Sequence, residues 1–223
     1  MPTVVITGAT RGIGRELAQL YLAEGAAVVV GNRSPSPHLV DLGAEEHALD
    51  VSDGASVAAF AQALKGRPVD ILINNAGIFG PDRQSTSDMD FEGFAETLAI
   101  NTMGPLRVTQ ALWPSLRLAD APKVAVITSR MGALSNVAMS HKVAYRASKA
   151  AVNKIVQCLA IDMKADGISV ASIHPGWART DMGGPDGEIE PIESATGIKT
   201  LISKLTVGNT GQLWNYDGTN MTW

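Results

Sequence analysis

Thr3-Val4-Val5-Ile6-Thr7-Gly8-Ala9-Thr10-Arg11-Gly12-Ile13-Gly14 is a short apolar, β-branched run that breaks into a glycine-rich turn and then opens a helical pattern over residues 13–23. A run of that length, rich in valine and isoleucine, reads as a buried strand. Gly8, Gly12 and Gly14 permit a tight turn and let backbone N–H groups approach an anion, whose charge is favoured at the N-terminus of the following helix. Strand, glycine turn and helix in that order predict a pyrophosphate cradle on an α/β scaffold. The spacing is G-x-x-x-G-x-G, which differs from the G-x-G-x-x-G dinucleotide fingerprint.

Apolar runs of the same kind recur at residues 26–30, 47–51, 69–73, 124–128 and 168–173. They are too uniformly apolar for a sheet with one wet face and predict parallel strands covered by helices on both sides. Helical patterns fall between them at 57–64, after a Ser52 or Asp53 cap, at about 91–118, and at 143–165. The second crossover is brief, because Ser34-Pro35-Ser36-Pro37 leaves room for one helical turn before His47. The expected fold is α/β, a single doubly wound parallel sheet with helices on both faces. At 223 residues the chain is long enough for one substantial core and short for two, so one domain over 1–223 is expected. Gly183-Gly184-Pro185-Asp186-Gly187 follows a strand's carboxyl end, where a flap over a ligand is expected.

Composition narrows the function. The chain is 45% hydrophobic and 18% charged with net charge −4, which provides no electrostatic footprint for nucleic acid. No stretch approaches the roughly 20 apolar residues of a membrane span, and Met1-Pro2-Thr3 begins no basic leader, so no membrane association and a cytoplasmic location are expected. The lone Cys158 excludes an intramolecular disulfide; flanked by Val156, Leu159 and Ile161, it is expected to be buried. His174 has no cysteine or carboxylate at metal-ligand spacing, so no metal is expected.

Two features carry chemistry without further help. Gly31-Asn32-Arg33 ends the second strand, where an acidic side chain would bind a ribose 2′-hydroxyl; a guanidinium there pairs instead with a 2′-phosphate, and Arg11 adds a second cation. NADP(H) is thereby favoured over NAD(H). Tyr145 and Lys149 lie one helical turn apart in Tyr145-Arg146-Ala147-Ser148-Lys149 and project from one face. A free phenol, with a pKa near ~10, is a poor acid at neutral pH, whereas an adjacent ammonium stabilises its phenolate and fits it for proton transfer. The bland alternatives are a solvated arginine and an exposed tyrosine–lysine pair.

The turn Thr7 to Gly14, Asn74-Asn75-Ala76-Gly77, Tyr145-x-x-x-Lys149, His174-Pro175-Gly176-Trp177 and the final Tyr216-Asp217-Gly218 together resemble the short-chain dehydrogenase/reductase family, in particular its small carbonyl-reductase-like branch. The resemblance spans nearly the whole chain and implies a Rossmann sheet, hydride transfer between NADP(H) and a small-molecule carbonyl or secondary alcohol, and a homodimer or homotetramer. It implies a cofactor site built from Gly8, Arg11, Gly12, Ile13, Gly14 and Arg33, with Asp50 and Val51 beside the adenine. Asn75, Ala76 and Gly77 would form a further wall, and Pro175, Gly176, Trp177 and Thr180 would meet the nicotinamide end. Ser129 would polarise the substrate, with Thr128 as the alternative hydroxyl, and Tyr145 would act as acid/base. Lys149 would tune the phenol and bind ribose, and Asn101 would hold a water linked to the lysine. The interval from Ser129 to Tyr145 is longer than is common in the family, so residues 133–143 are expected to bulge. A dinucleotide-binding regulatory protein with vestigial catalysis is the alternative function.

Overall fold

The computed structural model describes residues 1–136 and 140–223. Eight strands form one sheet in the order β3-β2-β1-β4-β5-β6-β7-β8. They are β1 (Thr3–Thr7), β2 (Ala27–Asn32), β3 (Glu45–Ala48), β4 (Ile71–Asn74), β5 (Lys123–Ile127), β6 (Ser169–His174), β7 (Leu213–Asn215) and β8 (Asn220–Met221). Every neighbouring pair from β3 to β7 is parallel, and only β8 runs antiparallel, closing on β7 across the Asp217-Gly218 turn. The strand order reverses at β1, with β2 and β3 on one side and β4 onward on the other, so a crevice opens at the carboxyl ends of β1 and β4.

The apolar runs are buried on both faces, as their uniformity predicts. Val5, Val29, Leu72, Val124, Val126 and Val170 enter one core against α3 (Gly54–Ala63), α5 (Gly104–Leu116) and α6 (Val143–Asp162). Alternate residues Val4, Ile6, Val28, Val30, Ile73 and Ala125 enter the other, against α1 (Gly12–Ala23) and α7 (Pro191–Ser203). Each fully buried valine or isoleucine contributes about 1.5–3 kcal/mol relative to exposure, which holds the central strands without help from polar pairing. The brief crossover is α2 (Pro37–Asp41), started by Pro37 in its first turn. Asp53, not Ser52, caps α3, accepting the Ala55 N–H.

Three expectations are corrected. The third strand lies at Glu45–Ala48 rather than 47–51; its ladder with β2 ends at Asn32↔Ala48, and Leu49 and Val51 pack into the core from the following turn. The long helix expected over 91–118 is α4 (Phe91–Leu98), a π-helical turn (Ala99–Met103) and α5. Pro105 explains the break. It has no N–H to donate to the Asn101 carbonyl, and its ring crowds that carbonyl, so the turn widens at Asn101. Cys158 is also corrected: it is exposed on α6.

Candidate active site

The glycine turn leaves β1 at the crevice. Gly8 has φ +70°, and a Cβ there would stand 2.8 Å from the Ala76 Cα, so only glycine lets the two loops close together. Asn75 ties them: its Nδ2 donates to the carbonyls of Thr7 (3.1 Å) and Gly8 (2.7 Å). Asn32, at the end of β2, accepts the Ala9 N–H at 2.7 Å and fixes the third side. Helix α1 then starts from Arg11 with no side-chain cap, leaving its first N–H groups facing the groove.

That groove has a volume of about 470 Å³. It gathers Gly8, Arg11, Gly12, Ile13 and Gly14 with Arg33, Asp50 and Val51, then Asn75, Ala76 and Gly77, and at its far end Tyr145, Lys149, Pro175 and Thr180. Gly176 and Trp177 do not line it. Gly176 makes the turn, at φ +76°, and the Trp177 indole donates to the Gly183 carbonyl at 2.7 Å. Thr10, Leu49, Ile78 and Met182 also line the groove; no residue-type signal marks them, because they enter through loop geometry. Asp181, at the rim of the groove, pairs with Arg11 at 2.7 Å. Arg33 makes no hydrogen bond or ion pair among the described residues. The Asp50 carboxylate turns onto the Ser52 hydroxyl and N–H, and these bonds hold it below the usual carboxylate range. The segment expected as a flap is tied down: Arg179 donates to the Gly187 carbonyl and pairs with Glu190.

At the groove's inner end, α6 presents Tyr145 and Lys149, 7% and 5% exposed. Burial pushes the phenol up to about 12, opposed by a hydrogen bond with the Ser129 hydroxyl, and burial pushes the lysine down to about 8. The expected lowering of the phenol by Lys149 is not what governs it here; desolvation dominates, and Ser129 is the group that opposes it. The Lys149 ammonium donates to the Ile127 carbonyl at 2.9 Å and stands 5.7 Å from the Tyr145 ring centre. Of the two candidate hydroxyls, Thr128 donates to Asn153 Oδ1 at 2.7 Å, while Ser129 accepts the Met131 N–H at 3.1 Å and lies close to the phenol. Gly132 lies three residues after Ser129, and a Cβ on it would fall 2.6 Å from the Lys149 Cβ, so glycine lets the turn after Ser129 lie directly on α6.

Asn101 is buried in the π-helical turn, not solvent-facing. Its Oδ1 accepts the Ile78 N–H, and its Nδ2 donates to the Ile78 carbonyl and the Ser148 hydroxyl. Gly77 lies between Asn101 and Lys149; a point at its missing Cβ is 3.1 Å from Asn101 Oδ1 and 3.7 Å from Lys149 Nζ. His174 is buried and pushed down to about 4, chiefly by desolvation, and its Nδ1 has no hydrogen-bond partner among the described residues. Of the segment expected to bulge, 137–139 lie outside the described residues; on either side Ser135 donates to the Trp223 carbonyl, and Lys142 adopts a left-handed conformation, φ 62°. Among the described residues there is no cluster of three or more metal-ligating side chains, and no helix is long and apolar enough to cross a membrane.

Known proteins share this architecture. The short chain dehydrogenase family profile matches residues 2–190. The C-signal protein of Myxococcus xanthus is 41% identical over 74% of this chain and 99% of its own length, and the 1-hydroxy-2-glutathionyl-2-methyl-3-butene dehydrogenase of Rhodococcus sp. strain AD45 is 32% identical over the full length of both. Among solved structures, the NADPH-bound carbonyl reductase from chicken fatty liver superposes with a TM-score of 0.93 at 30% identity, covering 100% of this chain and 99% of that one. The carbonyl reductase Sniffer of D. melanogaster gives 0.92 at 27% identity over the whole of both chains. With the family's profile matched along most of its length and the glycine turn, Tyr145 and Lys149 gathered in one groove, the chain belongs to the short chain dehydrogenase family.

Proposed function

We propose that the protein is an NADP(H)-dependent reductase of small-molecule carbonyl compounds, working reversibly on the corresponding secondary alcohols. The observation that carries this reading is the burial of Tyr145, close to Ser129 and beside Lys149, at the end of a groove whose other end is a glycine cradle and an Arg33 without a partner among the described residues. NADP(H) fits that groove: the cradle would be filled by any Cβ at Gly8, the uncapped α1 N-terminus suits a pyrophosphate, and Arg33 suits a 2′-phosphate. The NADPH-bound chicken enzyme of the same fold and the Rhodococcus dehydrogenase support the assignment.

When bound, the cofactor supplies or accepts the hydride. The remaining work falls to this chain. Ser129 orients the substrate carbonyl oxygen, and Tyr145 delivers its phenolic proton to that oxygen. The phenolate left behind is stabilised by the Lys149 ammonium, which is worth most in a water-poor site. A proton returns to Tyr145 by way of Lys149, with a water between Lys149 Nζ and Asn101 Oδ1, on either side of Gly77, completing the path outward.

The decisive assay follows NADPH oxidation with a panel of ketones, aldehydes and quinones. Turnover of at least one class is expected. Tight NADPH binding with no oxidation across the panel would overturn the reading in favour of a regulatory dinucleotide-binding protein, the alternative raised by the identity to C-signal. A pH dependence also follows. Lys149, pushed down to about 8, is an ammonium below that pH and loses its charge above it. Reduction needs the charged form, so kcat/KM should be level below about 8 and fall by about tenfold per unit above it. A profile that stays level well above that pH sinks the role given to Lys149.

A further inference from the structure

Helix α6 carries Tyr145 in its first turn, where the N–H groups have no partner within the helix. Such groups are usually satisfied by the side chain of the residue at the helix start. Here that residue is Lys142, a lysine in the left-handed conformation that provides no cap. The caps come from a loop far away in sequence. The Gln84 backbone carbonyl accepts the Val143 N–H at 3.0 Å, and its side-chain Oε1 accepts the Tyr145 N–H at 3.1 Å. The other end of the same amide is equally engaged, Nε2 donating to the carbonyls of Phe79 at 3.0 Å and Pro81 at 2.6 Å. Gln84 is 3% exposed, so nothing from solvent replaces these bonds when they are lost.

The loop that Gln84 gathers carries Phe79, whose ring centre lies 4.7 Å from that of Tyr145 at a 50° tilt. One amide therefore fixes the catalytic tyrosine twice, through its backbone and through the ring packed against it. Lys149 is held independently, by the Ile127 carbonyl on β5, and Gln84 lies outside the cofactor groove.

We propose that Gln84 is a positioning residue for the proton donor: by capping α6 from the 78–84 loop and seating Phe79 against Tyr145, it sets where the phenol stands relative to the substrate oxygen. The inference rests on the carbonyl-reductase reading above. A tyrosine has to reach that oxygen within hydrogen-bond distance while the hydride donor is fixed by other elements, so a small turn of the helix start costs rate without costing cofactor affinity.

The test compares Gln84→Ala and Gln84→Glu with the unaltered protein. For Gln84→Ala, kcat for NADPH-dependent carbonyl reduction should fall about 100-fold while the NADPH Kd, read by fluorescence, stays within about twofold. In Gln84→Glu a carboxylic acid can donate to one loop carbonyl while accepting from Tyr145, whereas a carboxylate cannot donate at all. That variant should therefore regain rate as the pH falls, through an ionisation absent from the unaltered protein. An unchanged kcat in Gln84→Ala, a parallel loss of NADPH affinity, or no acid rescue in Gln84→Glu overturns the proposal. Amide hydrogen exchange separates it from the function itself: Val143 and Tyr145 should exchange faster in Gln84→Ala while Val152 and Val156, deeper in α6, keep their protection. Unaltered exchange at the first pair overturns the role of Gln84 whether or not the protein reduces a carbonyl; absence of turnover in the unaltered protein overturns only the reductase reading.

Discussion

Tyr145→Phe will lower kcat for carbonyl reduction by about 10²–10⁴-fold and leave NADPH affinity close to that of the unaltered protein. The substitution removes one oxygen and keeps the ring, so the packing against Phe79 and the contact with Lys149 survive. What disappears is the proton and the hydroxyl close to Ser129. Because the phenol is buried, water is a poor replacement donor, and the loss should be seen at every pH at which Lys149 is charged. Absorbance assays of turnover, paired with fluorescence titration of NADPH, separate the two quantities; turnover equal to that of the unaltered protein would refute the acid/base assignment.

Arg33→Asp should reverse the cofactor preference. Arg11 is already engaged with Asp181, whereas Arg33 stands exposed at the end of β2 without a partner among the described residues. A charge-assisted bond to a 2′-phosphate contributes about 1.5–3 kcal/mol, so its loss weakens NADPH by roughly 10–100-fold. The new carboxylate repels the phosphate and accepts from the 2′-hydroxyl of NADH, carrying the ratio of kcat/KM values for the two cofactors through a total change of about 10²–10³-fold. If the ratio does not move, the 2′-phosphate is read by Arg11, and the Arg11–Asp181 pair must open to receive it.

The glycine turn, the buried parallel strands and the Tyr145–Lys149 spacing are legible because each is a local pattern with a strict geometric reason, whereas Ser129 is reached only through the family resemblance. The sequence misleads where local pattern and three-dimensional role part company. Leu49 and Val51 are apolar because they pack, one against the Gly31 backbone and Phe60 and the other against Gly104, not because they pair in a strand. Cys158 has apolar sequence neighbours, yet the buried stripe of α6 runs through Val152, Val156 and Leu159 at helical spacing, which puts residue 158 on the other side. Gly104-Pro105 marks the break in the long helix, within a stretch whose apolar periodicity runs on across it. Gln84 was invisible: it sits between charged and polar neighbours in a loop, and its partner Tyr145 is 61 residues away.

The placement of β1 has a consequence for how the molecule comes into being. β1, the first of this sheet's strands in chain order, is flanked in the finished sheet by β2 on one edge and β4 on the other. As the chain leaves the ribosome, β1 can join β2 early, but its second edge stays open until residues 71–74 emerge, and the strands beyond β4 add only later. Parallel pairing across such separations is slow, and an open apolar edge in the meantime is where nascent chains stick to one another. The cofactor groove, with one wall from the glycine turn and the other from Asn75 to Gly77, is among the late products of this order. Added NADPH should accordingly protect the finished protein from unfolding while doing little to rescue chains that aggregate on the way.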